Sequence, residues 1–228
     1  MIDDPPILTI RDTIARPDPA KVAALAGAQT GHLVDCMNGR GALDYQIKPL
    51  DPTNAAFCGP AITAFAYPAD NLAVFGAMQE SQTGDVIVVA NDGFTRTALI
   101  GDLVTGMMRN KGVVAFVTDG LARDRAGIVA SGLPTFAAGI SPNSPAKTGP
   151  GSVNFPVTVG GVPVSPGDVI VGDADGVVVV PQAMLDTVIE RLAQVRAAEA
   201  SAEAAVKAGA TTTAGAARIL ASNQVKRV

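Results

Sequence analysis

Asp102 is followed, after twenty intervening residues, by Arg123 and Asp124, in the run GDLVTGMMRNKGVVAFVTDGLARD. A guanidinium grips a small carboxylate through two parallel hydrogen bonds. Carboxylates hold a hard divalent cation together with its waters. The combination points to a metal-assisted site for a small 2-oxo acid. The same three residues also suit a structural Arg–Asp pair that closes a loop, and spacing alone leaves both readings open.

The residue counts remove other chemistries. The single histidine, His32, excludes an intrachain zinc centre of two or three histidines. No G-x-S-x-G elbow, G-x-G-x-x-G turn or P-loop is present, and Gly39-Arg40-Gly41 lacks the third glycine of a nucleotide cradle. Cys36 and Cys58 read as small buried apolar residues of a reducing compartment. With a net charge of -4 and no basic block, nucleic acid is not expected as a partner. The apolar runs are too short to cross a membrane, and the acidic start MIDDPPILTIRD lacks the features of a signal peptide. A cytoplasmic protein is the expectation. Charged residues make up only 17% of the chain, a sparse surface that implies partial burial in an oligomer.

The elements that must position the triplet read as follows. Residues 1–18 form a proline-rich lead-in. Asp18 caps a short helix over Pro19–Ala26, and Gly31–Asn38 forms a second. Cys58–Ala66 is a strand, Pro68–Gln79 a helix, and Asp85–Ala90 a buried strand. Thr97–Asn110 reads as a helix ended by Lys111-Gly112, which leads to a strand over Val113–Thr118. This alternation is that of an α/β layer with crossover connections, where ligands sit beyond the carboxyl ends of strands. On that reading Asp102 and the amides that follow it lie near a helix N-terminus, which favours an anion. Thr135–Ala138 is a short strand, and Ser141–Gly151 is a Pro/Gly/Ser loop. Pro156–Val164 forms a hairpin about Gly160-Gly161, and two more strands flank the Asp173–Gly176 turn. Residues 182–208 form a long helix whose apolar stripe thins to alanine beyond Val195, as in an arm laid on a neighbouring subunit. Residues 209–228 read as a poorly ordered tail. All 228 residues are assigned to one domain, with its core over about 19–181.

The Asp102, Arg123-Asp124 spacing, with Thr118-Asp119-Gly120 before it, resembles the pattern of the RraA-like family. The resemblance extends to Pro68-Ala69-Asp70-Asn71-Leu72, Gly84-Asp85-Val86, and Pro166-Gly167-Asp168 through Asp173-Ala174-Asp175-Gly176. It implies a swivelling β/β/α fold, here with a long C-terminal helical arm, assembled as a homotrimer or a dimer of trimers. The family's enzymatic branch, which this chain resembles, contains the class II pyruvate aldolases acting on 4-hydroxy-4-methyl-2-oxoglutarate and 4-carboxy-4-hydroxy-2-oxoadipate.

Residue by residue, the resemblance implies Asp124 as the ligand of Mg²⁺ or Mn²⁺. Arg123 would hold the substrate near its C1 carboxylate and 2-oxo group. The amides at Gly101, Leu103 and Val104 would contact that carboxylate, and Asp102 would serve in proton transfer. Glu199, with Glu203 in reserve, would complete the site from a neighbouring subunit. Oxaloacetate decarboxylation would be a side activity. Asn71 is a further substrate contact, or else an N-cap. Phe75 stands where relatives often carry histidine. Arg96 and Arg125 are candidates for a distal carboxylate. The family's other branch, regulators that bind and inhibit a ribonuclease, is the competing reading.

Overall fold

The computed structural model describes residues 6–228; the part of the lead-in over residues 1–5 lies outside them. The first strand, β1 (Thr9–Ile10), runs parallel to a later edge strand. Helix α1 (Pro19–Leu25) starts where Asp18 accepts the Ala20 N–H at 2.8 Å and Pro19 pre-sets φ for the first turn. After α2 (Thr30–Cys36) come a two-residue strand, β2 (Lys48–Pro49), and the ten-residue β3 (Phe57–Ala66). Helix α3 (Leu72–Glu80) then crosses over to β4 (Val86–Ala90).

The segment read as one helix over Thr97–Asn110 divides in two: β5 (Ala98–Ile100) is a strand, and α4 (Asp102–Lys111) begins only at Asp102. Apolar Ala98-Leu99-Ile100 fits either period, and pairing with a distant strand decides it. β6 (Ala115–Thr118), β7 (Leu121–Ala122), α5 (Arg125–Ser131), β8 (Thr135–Ala137) and β9 (Gly139–Ile140) complete this half. The rest is β10 (Gly151–Val153), the β11–β12 hairpin (Val157–Val159, Val162–Val164), the β13–β14 hairpin (Val169–Asp173, Gly176–Val180), α6 (Leu185–Lys207) and α7 (Ala214–Leu220). α7 replaces the structureless tail expected there; Thr213 caps it by accepting the Ala216 N–H.

β3, β4, β6 and β8 lie side by side and parallel, joined by helical crossovers. All five residues of β4 are buried because both faces of the sheet are covered. Ile87 and Val89 pack with Val74 of α3, Met108 of α4 and Ile128 of α5. Val86, Val88 and Ala90 face Val159, Val164, Ile170 and Val179 of the second β layer. Each valine buried in this way contributes on the order of 1.5–3 kcal/mol. β3 links the layers: its first half pairs with β13, and its second half with β4 and β10. Outside the second layer, Leu185, Val188 and Leu192 of α6 pack on Leu25 and Leu33 of α1 and α2. The result is the β/β/α arrangement, with a long C-terminal helix. Beyond Val195, every residue of α6 is exposed.

Candidate active site

β5, β7 and β9 form a separate three-stranded parallel sheet. Ala98 pairs with Leu121 and Ile100 with Ala122, and the Arg123 N–H donates to the Ile100 carbonyl at 2.9 Å. Gly101-Asp102 and Arg123-Asp124 therefore leave adjacent strand ends side by side. Twenty residues of crossover in the chain become one interstrand spacing, about 4.8 Å.

The two corners are packed together through glycine. A Cβ at Gly101 would collide with the carboxylate of Asp124 and crowd Arg123, and one at Gly127 in α5 would overlap the carboxylate of Asp102. Asp124 has φ 55° and ψ 43°, a left-handed conformation that costs a non-glycine residue roughly 1 kcal/mol. It occupies the N-cap position of α5, yet its side chain caps nothing. Instead Arg123 Nε lies 3.2 Å from Asp124 Oδ2, and Arg123 donates from an Nη to Ser144 Oγ. The second Nη has no protein partner among the described residues. The Arg–Asp pair of the structural reading is thus present, but it lies in the wall of a cavity.

That cavity, of about 300 Å³, is lined by Asn71, Phe75, Leu99, Ile100, Gly101, Asp102, Leu103, Val104, Met107, Arg123, Asp124, Ser144, Pro145 and Lys147. Seven of the eight site residues named from the sequence meet there; Glu199 does not line it and is exposed on the outer half of α6. Glu203, one turn on, is 3.5 Å from Lys207. The Leu103 amide is already engaged, donating to Asp102 Oδ1 at 2.7 Å. The Val104 N–H, in the first turn of α4, has no intrahelical acceptor. Asn71 stands at the N-cap of α3 without capping it; Nδ2 donates to the Leu99 carbonyl at 2.8 Å, and buried Oδ1 has no partner.

Arg125 and Arg96 do not serve this cavity. Arg125 donates twice to the Leu50 carbonyl, and Arg96 is exposed elsewhere. Sequence reasoning passed over Ser144, Pro145 and Lys147 because their loop has no periodic signal. The loop is nevertheless held in place: Asn143 accepts from the Ala98 N–H at 3.0 Å, and Asp70 accepts from Thr148 and Gly149. Met107 of α4 and Gly127 were also missed. Cysteine chemistry is disfavoured, since burial pushes the Cys58 thiol up to about 11.

Residues 30–179 match the model of the RraA-like family, described as Aldolase/RraA, and the chain belongs to that family. A relative from Halalkalibacterium halodurans, named "Putative 4-hydroxy-4-methyl-2-oxoglutarate aldolase", is 41% identical over 172 residues, covering 75% of this chain and 81% of the relative. An uncharacterized protein from Pseudomonas syringae pv. tomato superposes with a TM-score of 0.76 at 25% identity, over 87% of this chain and 97% of that one. Streptomyces coelicolor RraAS2, described as an unusual member of the RNase ES inhibitor RraA protein family, superposes with a TM-score of 0.74 at 28% identity, over 82% and 98%. Among the described residues, no helix is long and apolar enough to cross a membrane.

Proposed function

We propose that the chain is a divalent-metal-dependent carbon–carbon lyase that cleaves 4-hydroxy-2-oxo acids such as 4-hydroxy-4-methyl-2-oxoglutarate to pyruvate and a second 2-oxo acid. The observation that carries this reading is the junction of β5 and β7, which brings Asp102, Arg123 and Asp124 to one cavity. The name of the 41% identical relative supports the same class.

The donor set fits a hard cation. Asp124 is held in a strained conformation without a capping role, and Asp102 lies in the same wall. Among the described residues, no group of three or more His, Cys, Asp and Glu side chains could form a closed metal cage. One or two carboxylates with waters suit Mg²⁺ or Mn²⁺. When bound at Asp124, the ion would supply Lewis-acid polarisation of the substrate's 2-oxo group.

The side chains account for the other steps. Arg123 binds the C1 carboxylate beside the 2-oxo group through its uncommitted Nη. The unengaged Val104 N–H, in the first turn of α4, lies on the same wall as a second anion contact. Asn71 Oδ1, buried and unpartnered, accepts the hydrogen of the 4-hydroxyl or of a water beside it. Asp102, acting through a water, takes the 4-hydroxyl proton, and the C3–C4 bond breaks. C4 becomes a carbonyl, the electron pair moves into the pyruvate enolate, and Arg123 faces the charge that develops there. Asp102 passes the proton to C3, with Glu199 from a neighbouring copy completing the relay in a homotrimer or a dimer of trimers. Oxaloacetate decarboxylation runs through the same enolate and is the expected side activity.

A lactate-dehydrogenase-coupled assay tests this reading. Pyruvate should appear from 4-hydroxy-4-methyl-2-oxoglutarate with Mg²⁺ or Mn²⁺ and stop with EDTA. Absence of pyruvate, together with tight binding of a ribonuclease, would instead favour the regulator, the class named for the Streptomyces neighbour.

A further inference from the structure

An arginine side chain turns about several bonds before it reaches its guanidinium, and rotamer freedom left in the free protein is lost when a ligand binds. Two contacts restrain Arg123. Nε lies 3.2 Å from Asp124 Oδ2, and an Nη donates to Ser144 Oγ. The two anchors differ in kind. Asp124 is also the carboxylate offered to a cation, so its hold on the guanidinium is shared. The Ser144 hydroxyl is neutral and does not compete for the ion.

Ser144 can act as an anchor because its backbone is fixed on both sides. Just before it, Asn143 O accepts from Ala98 N at 3.0 Å, and Asn143 Nδ2 donates to Arg96 O at 2.8 Å. Ala98 opens β5, the strand that pairs with β7 and so places Arg123. Just after it, Pro145 fixes its own φ and narrows the conformations open to Ser144. Ala146 N then donates to Ala69 O at 2.7 Å, and Asn71 N to Ala146 O at 3.0 Å. The hydroxyl and the guanidinium are thus referred to the same small sheet by separate routes. Ser144 is exposed in the cavity wall, and among the described residues Arg123 is the one partner of its hydroxyl.

The structure assigns Ser144 as the positioning residue of Arg123. A guanidinium is planar, so fixing Nε and one Nη fixes the direction of every N–H. The uncommitted Nη then meets the C1 carboxylate in a set orientation. Because the hydroxyl serves no other group, its removal should disturb the site and leave the framework intact. This assignment rests on the lyase reading above.

The test is a double-mutant cycle in the full-length protein with Mg²⁺ and 4-hydroxy-4-methyl-2-oxoglutarate. Ser144→Ala should lower kcat/KM about tenfold, as loss of one hydrogen bond to a charged group does, with Tm unchanged. Ser144→Thr, which keeps the hydroxyl, should restore most of it. Calorimetry should show pyruvate binding weakened by a similar factor in Ser144→Ala. In an Arg123→Ala background, Ser144→Ala should have no further effect. An unchanged kcat/KM, or the same tenfold loss in both backgrounds, overturns the assignment while pyruvate release by the unaltered protein keeps the lyase reading. No pyruvate from the unaltered protein removes both.

Discussion

The aspartates of this chain fall into two regions with opposite characters. At the strand ends of β5 and β7, Asp102 and Asp124 are only partly satisfied, and one of them sits on a strained backbone. In the framework, both oxygens of Asp85, Asp168 and Asp173 accept hydrogen bonds from the chain. Asp85 accepts two bonds from Arg16, at 2.7 and 2.9 Å, and one from the Gln82 N–H. Asp168 accepts from Ser165 and Gln182, and Asp173 from Thr30 and Asp175. A carboxylate whose two oxygens are both engaged by its own chain holds segments together. One left with open sites, at a cost in backbone strain, is available to a ligand. The difference lies in the donors around the group, and residue type alone does not reveal it.

The largest expected effect comes from the open region. Arg123→Ala should lower kcat/KM for a 4-hydroxy-2-oxo acid by about 10³-fold or more, some 4 kcal/mol of transition-state stabilisation, with little change in Tm. Steady-state kinetics beside a thermal melt checks both halves; a collapse of Tm would move Arg123 into the framework class. Next is Asp85→Ala, which strands Arg16 and the Gln82 N–H. Because Arg16 remains 29% exposed, the cost should be about 2–3 kcal/mol in urea unfolding, with kcat of the folded fraction retained.

The smallest effect concerns Asp70, a framework carboxylate that ties a loop of the cavity wall to the start of α3. Burial works to raise its pKa, but the donors from Leu72, Thr148 and Gly149 outweigh that and hold it below the usual carboxylate range. Its contribution is therefore present above the unfolded value of about 4 and is lost as pH falls through the lower folded value. Asp70→Asn should cost about 1–2 kcal/mol at neutral pH and flatten the acid limb of a stability–pH profile. Parallel acid limbs in the two proteins would remove Asp70 from the clamp.

Local signals were readable where they are chemically self-contained. Asp18-Pro19 announces α1, Gly160-Gly161 the β11–β12 hairpin, and the all-apolar run at 86–90 a strand covered on both faces. The reading failed where a distant partner decides. Ala98–Ile100 becomes a strand only because β7 lies beside it, and that strand makes the site. Likewise, Pro68–Asn71 turns rather than starting α3, with Ala69 at φ 63° and Asp70 bonded across to a loop about eighty residues away in sequence. The charged triplet could be picked out from its residue types. Lys147 could not, since nothing about a lysine in a Pro/Gly/Ser loop marks it as facing a cavity.

The pairing of β7 with β5 also governs which changes of chain length the protein can tolerate. Side chains alternate across a strand, so removing one residue between Gly120 and Arg123 would turn the guanidinium to the opposite face of the small sheet. Removing two would restore the face but draw the group back by about 7 Å, out of reach of Asp124 and Ser144. The interval of twenty residues is thus the outcome of a register, and a deletion of either length there should abolish the site even in a chain that still folds.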